Sequence, residues 1–159
     1  MKTPDTIPYE YVIRSLSFDP KKSSLTTFLE TVLDPMVVVG LVDQYQLGVT
    51  KAGDVIFFQI DKEGQCRTGK VMKYDPVTGH RIKDDSSKCP ITWIHALMKR
   101  KGLLPEEWEL TQCLFGEHLL TKYPDRTVAL VESEKTAVIC AGFIPGIRLA
   151  RHRWEDQSG

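Results

Sequence analysis

Long apolar runs and paired cysteine motifs are both missing from this sequence. None of its 159 residues lie in an apolar stretch of about 18 residues, so no membrane-spanning helix is expected. The first ten residues carry prolines and acids where a signal peptide has a basic and then an apolar segment. The four cysteines are 23, 24 and 27 residues apart, and the four histidines are equally scattered, so no zinc-binding pair is evident. We therefore expect a cytoplasmic chain with free, buried thiols.

Two catalytic motifs are missing as well. The segment "ESEKTA" contains the Lys-Thr pair of a phosphate loop, but no glycines precede it to let backbone N–H groups wrap a phosphate. The sequence has no Gly-x-Ser-x-Gly elbow, and Ser133 has no evident His and Asp companions. These absences argue against nucleotide hydrolysis and against a serine hydrolase.

The composition is that of a globular protein, with 42% hydrophobic and 26% charged residues and a net charge of zero. The length suits one domain, or two small lobes that share a core. Charge is unevenly distributed, because residues 66–101 contain nine basic and three acidic side chains. Such an excess attracts phosphate backbones, and lysines that protect strand edges are the alternative explanation. The basic residues are Arg67, Lys70, Lys73, Arg81, Lys83, Lys88, Lys99, Arg100 and Lys101.

Hydrophobic periodicity predicts two helices and then a β-hairpin after a loop-rich start. "SLTTFLETVL" has apolar residues at helical spacing behind a serine cap, and "DPMVVVGLVDQYQLG" opens with Asp34 as a cap and Pro35 as the first helical residue. From Asp54, "DVIFFQID" and "QCRTGKVMKYD" are rich in strand-forming residues and are separated by a turn at Gly64. A long polar loop, residues 76–90, follows the hairpin.

The second half of the chain predicts more helices and one βαβ unit. "ITWIHALMKRKG" indicates a helix with Trp93 directed inward, and "CLFGEHLLTKYP" indicates another. "TVALVE" is typical of a strand covered on both faces, "SEKTAVICAGF" of a helix, and "GIRLARH" of a parallel strand reached by a right-handed crossover. The predicted fold class is α+β, with a mixed lobe at residues 1–110 and the βαβ unit at residues 111–159.

Glu132 ends the predicted strand "TVALVE". Ligands of open parallel sheets bind at the carboxyl ends of the strands, and this position favours a functional carboxylate. Glu and Ser at the start of a helix also cap free N–H groups and complement the helix dipole. The spacing alone leaves both interpretations of Glu132 open.

The order of these segments resembles the catalytic core of bacterial and phage DNA primases. The mixed lobe contains "YQLG" and "DVIFFQIDKEGQCRTGKVMKYD", and these are followed by "LFGEHLL" and then by "TVALVESEKTAVICAGF". In that family a strand with basic residues, a short leucine-rich helix and the Toprim domain follow one another in the same order. "ALVES" is similar to the Toprim strand that ends in Glu-Gly. Forms such as "VALVESEKTA" and "RTGKVMKYDPVTG" are similar to primase-like proteins of mobile elements in Bacteroides-type bacteria. The resemblance covers about residues 41–150.

This resemblance implies roles for a few residues. Glu132 matches the Toprim glutamate that acts in the acid/base and metal chemistry of nucleotidyl transfer. Lys70, Lys73 and Arg67 fall where the family has basic residues facing the template or the incoming nucleotide, and Arg81 and Lys83 extend the same basic segment. Single-stranded DNA or RNA and a replication helicase are the implied partners.

The sequence also departs from the family pattern. It has no Asp-x-Asp motif to hold Mg²⁺ and no zinc ribbon, and Ser133 replaces the Toprim glycine, so the Toprim half looks truncated. Glu132 is then one ligand of an incomplete Mg²⁺ site, to be completed by a longer form or a partner. We expect a primase-like, Toprim-related protein of mobile-element replication that binds nucleic acid. The alternative is a non-catalytic nucleic-acid-binding or protein-interaction module. An unfinished parallel sheet also predicts a homodimer formed through its unpaired edge.

Overall fold

The structure, a computed structural model, describes residues 2–16, 22–87, 90–146 and 148–151. Helices and strands are mixed along the chain, and the α+β fold class predicted from the sequence is confirmed. In chain order the elements are α1 (Glu10–Leu16), α2 (Ser24–Val32), α3 (Pro35–Tyr45), β1 (Leu47–Val49), β2 (Val55–Ile60), β3 (Cys66–Met72), β4 (Thr92–Trp93), α4 (Ile94–Arg100), α5 (His118–Lys122), β5 (Val128–Val131), α6 (Glu134–Phe143) and β6 (Arg148–Arg151).

The four strands β1 to β4 form an antiparallel sheet in sequence order. The predicted hairpin is its centre, and its turn includes Gly64 at a φ of 81°, a value that glycine adopts without strain. One row of paired residues crosses all four strands, from Leu47 through Phe57 and Lys70 to Trp93. Because paired residues point to the same face, Lys70 and Trp93 are neighbours at the β4 edge of this face.

Helices α2 and α3 begin where their capping residues predict. Ser23 Oγ accepts a hydrogen bond from the Thr26 N–H at 3.1 Å, and the Asp34 carboxylate accepts one from the Met36 N–H at 2.8 Å. Pro35 is the first helical residue of α3. These contacts satisfy N–H groups that have no partner inside the helix, which fixes where each helix starts.

Two hydrophobic clusters cover the two faces of the sheet. The first joins the sheet to α2, α3 and α6 through buried residues that include Leu29, Leu41, Phe57, Phe115 and Ala137. The second lies under α1 and α4 and includes Val12, Ile56, Phe58, Met98 and Trp108. The mixed lobe and the βαβ unit therefore both contribute residues to the first cluster, which is a shared core.

The predicted βαβ unit is present. Strands β5 and β6 are parallel, with Val128 paired to Arg148, and α6 connects them. The prediction that β5 is covered on both faces is wrong, because Val128 and Leu130 are 41% and 59% exposed. Only the alternate residues Ala129 and Val131 pack against the first hydrophobic cluster.

Three further local predictions need correction. Helix α1 occupies part of the start that was expected to be extended, Trp93 lies in β4 instead of a helix, and "CLFGEHLLTKYP" contains only the five-residue α5. The thiols of Cys66, Cys113 and Cys140 are free, and burial raises the pKa of Cys66 and of Cys113 to about 12. Lys88, Cys89 and the tail from residue 152 lie outside the described residues. Among the described helices, none is both long and apolar enough to cross a membrane.

Candidate nucleic-acid interface

After β3 the chain folds back on itself in a narrow two-stranded ribbon, residues 73–83. The Ile82 N–H donates to the Lys73 carbonyl at 3.0 Å, and the Asp75 N–H donates to the His80 carbonyl at 2.8 Å. An isolated bridge between Tyr74 and Arg81 lies between these bonds. The ribbon exposes three of the predicted basic residues, Lys73, Arg81 and Lys83, and we call residues 73–83 the basic ribbon.

The turn of the basic ribbon is fixed by an aspartate and a glycine. The Asp75 carboxylate accepts hydrogen bonds from the Val77 and Thr78 N–H groups, each at 2.8 Å, and these bonds lower the pKa of Asp75. Gly79 has a φ of 70°, and it packs so closely on the ring of Phe28 that a Cβ there would overlap with the ring. The ribbon is therefore held against α2 and does not extend freely into solvent.

Helix α6 begins beside this turn. Ser133 is its N-cap, and Ser133 Oγ accepts a hydrogen bond from the Thr136 N–H at 3.1 Å. Lys135, in the first turn, donates from Nζ to the Gly79 carbonyl at 2.8 Å and lies 5.3 Å from the centre of the Tyr74 ring. Burial and then the nearby Arg81 charge lower the pKa of Lys135. Lys135 thus joins the start of α6 to the basic ribbon.

A buried ion pair connects the four-stranded sheet to α6. Lys70 Nζ lies 3.3 Å from Glu134 Oε1 and 3.4 Å from Oε2, and the side chains of Lys70 and Glu134 are 9% and 5% exposed. Each charge compensates the other in a site largely closed to water. Lys70 is therefore part of a buried charge pair between β3 and α6, whereas Lys73, Arg81 and Lys83 are exposed cations.

Glu132 lies at the carboxyl end of β5, where the sequence predicted it. Its side chain is exposed. Ser133, and not Glu132, provides the side-chain cap of α6. The neighbouring Glu134 is engaged by Lys70, and no group of three or more His, Cys, Asp or Glu residues that could hold a metal occurs within the described ranges. Since Mg²⁺ favours several oxygen ligands in octahedral geometry, the described surroundings of Glu132 do not fit a complete Mg²⁺ site.

Arg67 lies apart from the other predicted basic residues. It occupies the opposite end of β3, about 20 Å from Lys73 at the usual rise per strand residue. Its Nε donates to Asp61 Oδ2 at 2.8 Å and its Nη1 donates to the Thr111 carbonyl at 3.0 Å. Burial opposes ionisation of Asp61, but the bonds from Arg67 and from backbone N–H groups lower its pKa. Arg67 therefore has a structural partner at the far end of the sheet.

Glu134 and Lys135 are parts of this site that sequence reasoning missed. Glu134, Ala137, Val138 and Ala141 recur at helical spacing and form one face of α6, so Glu134 falls on the stripe that is buried. Lys70 likewise lies in a strand that is buried almost throughout. The sequence therefore already places an acid, Glu134, and a base, Lys70, at positions that are expected to be buried. Two buried charges of opposite sign are expected to pair.

Comparison with known proteins identifies the domain but no activity. A family model described as a domain of unknown function, DUF6371, matches residues 23–150, which include the sheet, the basic ribbon and the βαβ unit. No curated protein and no solved structure matches the chain.

Proposed function

Because the chain belongs to DUF6371, a family of unknown function, we propose a function from the residues of its own site. The proposed function is that of a primase-like, Toprim-related module of mobile-element replication that binds single-stranded nucleic acid. The observation that carries this proposal is the approach of a lysine from a distant part of the sequence to a ribbon that exposes three cations. Lys135 of α6, more than 50 positions later in the chain than this ribbon, bonds to its turn and lies close enough to Arg81 for the Arg81 charge to lower the pKa of Lys135.

The geometry of the ribbon suits contact with a phosphate backbone. Its turn is anchored at both sides, by the packing of Gly79 on Phe28 and by the bond from Lys135, so the ribbon backbone loses little freedom on binding. Lysine and arginine contacts to phosphate release counterions and supply affinity that does not depend on base sequence.

We do not propose that this chain completes a nucleotidyl transfer alone. A Mg²⁺-dependent primase reaction at Glu132 would require further carboxylates from a partner or from another segment, because Glu134 already faces Lys70. The favoured form of the proposal is therefore a binding module, with Glu132 exposed at its edge.

The direct test is binding of a fluorescently labelled single-stranded oligonucleotide of about 20 nucleotides, followed by anisotropy. We expect the double variant Lys73→Glu/Arg81→Glu to bind at least about 10-fold more weakly than the wild type, because two attractive contacts become repulsive. The control is Lys62→Glu, which reverses a single charge at an exposed lysine in the turn at the opposite end of the hairpin. An equal loss in both variants, or no binding by the wild type, would contradict the proposal.

We also propose that β5 is a protein contact, through the unpaired sheet edge predicted from the sequence and through its apolar face. Val128 and Leu130 leave this face exposed, and β5 pairs only with β6 among the described strands. A second copy of the chain is the proposed partner, and a replication helicase is the other candidate. Sedimentation of the wild type as a dimer and of Leu130→Lys as a monomer is the expected result. A monomeric wild type would contradict the homodimer. Binding of a replication helicase would then be tested as the other candidate.

A further inference from the structure

A row of three aromatic rings leads from the core to the edge of the sheet beside Lys70. Trp108 is 4% exposed and donates from Nε1 to the Thr6 carbonyl at 3.2 Å. The His95 ring stacks on Trp108 with centroids 5.5 Å apart and planes at 21°. The Trp93 ring follows, 6.0 Å from His95, and is only partly buried. The row therefore has one end in the core and one end at the surface.

The surface end of this row is held in place. His95 Nδ1 and Thr68 Oγ1 are 2.7 Å apart and share a hydrogen bond, which fixes the orientation of the middle ring. Trp93 belongs to β4, the edge strand, and is paired with Lys70 across the sheet. A large aromatic side chain that is partly open to solvent and held by its neighbours is already positioned for stacking with a planar partner.

Trp93 is also next to the basic surface. Lys70, its cross-strand neighbour, pairs with Glu134, and the next residue of α6, Lys135, contacts the turn of the basic ribbon. A strand bound along the ribbon would bring its bases toward this edge of the sheet. Bases of a single strand are free to stack on an aromatic ring, whereas those of a duplex are paired and stacked on each other.

We infer that Trp93 is a base-stacking platform for single-stranded nucleic acid, next to the phosphate-binding ribbon. This inference rests on the proposed function and adds to it a contact that recognises the base. Stacking does not depend on which base is present, so the platform favours single strands over duplexes without reading a sequence. The ribbon supplies salt-sensitive affinity, and Trp93 supplies affinity that depends on the presence of bases.

The test uses two labelled strands of equal length and charge, oligothymidine and an abasic strand with the same number of phosphates. Each is titrated by anisotropy against the wild type, Trp93→Ala and Trp93→Phe. We expect Trp93→Ala to lose about 5- to 150-fold in affinity for oligothymidine and to keep the affinity of the wild type for the abasic strand. Trp93→Phe retains a ring and recovers most of the affinity for oligothymidine. Trp108→Phe is the control for an aromatic change at the buried end of the row.

The outcomes separate this inference from the proposed function. Equal wild-type affinity for both strands, together with a loss in Lys73→Glu/Arg81→Glu, would overturn the platform and retain the phosphate-binding ribbon. An equal loss on both strands in Trp93→Ala would also overturn the platform, because a stacking contact cannot act on a strand without bases. Failure of the wild type to bind either strand would overturn both. If Trp93→Ala does not fold, as judged by circular dichroism, a Trp93→Leu variant takes its place with the same expectation.

Discussion

Lys70 and Glu134 carry opposite charges into a site from which water is largely excluded. Removing water from each charge costs free energy, and the contact between them offsets that cost only while both are present. The two residues come from β3 and α6, which are 64 positions apart in the sequence. Their pairing therefore ties the orientation of the βαβ unit to that of the sheet.

We predict that Glu134→Gln lowers the free energy of unfolding by about 3–5 kcal/mol, since the buried Lys70 ammonium loses the carboxylate that faces it. The control Glu106→Gln changes an exposed carboxylate elsewhere on the surface and is expected to stay within about 0.5 kcal/mol of the wild type. The double variant Lys70→Met/Glu134→Leu should recover most of the loss. Urea unfolding measures all three, and an unchanged Glu134→Gln would show that the pair is not energetically coupled.

Two histidines predict a pH dependence of stability. Burial, and then Lys99, lowers the pKa of His95, and burial is the largest cause of the lowered pKa of His118, whose Nε2 lies 2.8 Å from the Gln44 carbonyl. Below pH 6.5 the unfolded chain takes up protons that the folded chain does not, so stability falls as pH decreases through this range, until the folded pKa values are reached. Asp61 contributes its own loss only at lower pH, below 3.8.

The measurement is the urea midpoint between about pH 5 and pH 7.5. The wild type should become less stable toward pH 5, and His95→Gln/His118→Gln should show a smaller change over the same range. A double variant with the slope of the wild type would mean that other groups cause the dependence.

Sequence reasoning at the residue scale found the cations of the basic ribbon, but it predicted a polar loop at residues 76–90 where the ribbon turns, and it missed the buried support. Lys73, Arg81 and Lys83 were predictable because a local charge excess is visible without a fold. The pairing of Lys70 with Glu134 and the separation of Arg67 from the other cations depend on which strand ends and helix ends meet. Local spacing does not contain that information, although the buried stripe of α6 does indicate that Glu134 needs a partner.

At the scale of elements, the basic ribbon depends on its turn. We predict that Gly79→Ala destabilises the protein more than Gly64→Ala does, by about 1–3 kcal/mol. Both glycines have a positive φ, but a Cβ at Gly79 overlaps with Phe28, whereas nothing lies within 4 Å of one at Gly64. The difference between the two variants in urea unfolding isolates the packing of the ribbon on α2. Equal losses would indicate that the ribbon is not held there.

Helix caps and the β-hairpin were predictable, and strand coverage was not. Ser23, Asp34 and Pro35 act locally, so α2 and α3 begin as their sequence indicates. The apolar run of β5 resembles a doubly covered strand, yet only its alternate residues meet the core. Coverage is a property of neighbouring elements, and β5 has a covering helix on one side only in the described structure. Helix α1 was missed because the prolines that precede it favour an extended interpretation.

At the scale of the whole molecule, the shared core predicts cooperative unfolding. Phe57 of the sheet and Ala137 of α6 belong to one hydrophobic cluster, so loss of either lobe exposes apolar surface of the other. We predict a single transition in which far-ultraviolet circular dichroism and tryptophan fluorescence coincide. Hydrogen exchange should give β2 and α6 the same limiting free energy of opening. Separate transitions for the two lobes would contradict a shared core.

The chain has no net charge, so any attraction to nucleic acid must come from the distribution of its charges. The salt dependence of binding tests this most directly, because it counts the phosphate contacts. For the wild type, the logarithm of the affinity for single-stranded oligothymidine should fall linearly with the logarithm of salt concentration. The slope should become shallower by about 0.7 for each of Lys73→Gln, Arg81→Gln and Lys83→Gln, and should be unchanged in Lys62→Gln. Affinity that does not vary with salt, or four variants that share the slope of the wild type, would contradict the assignment of the ribbon as the nucleic-acid interface.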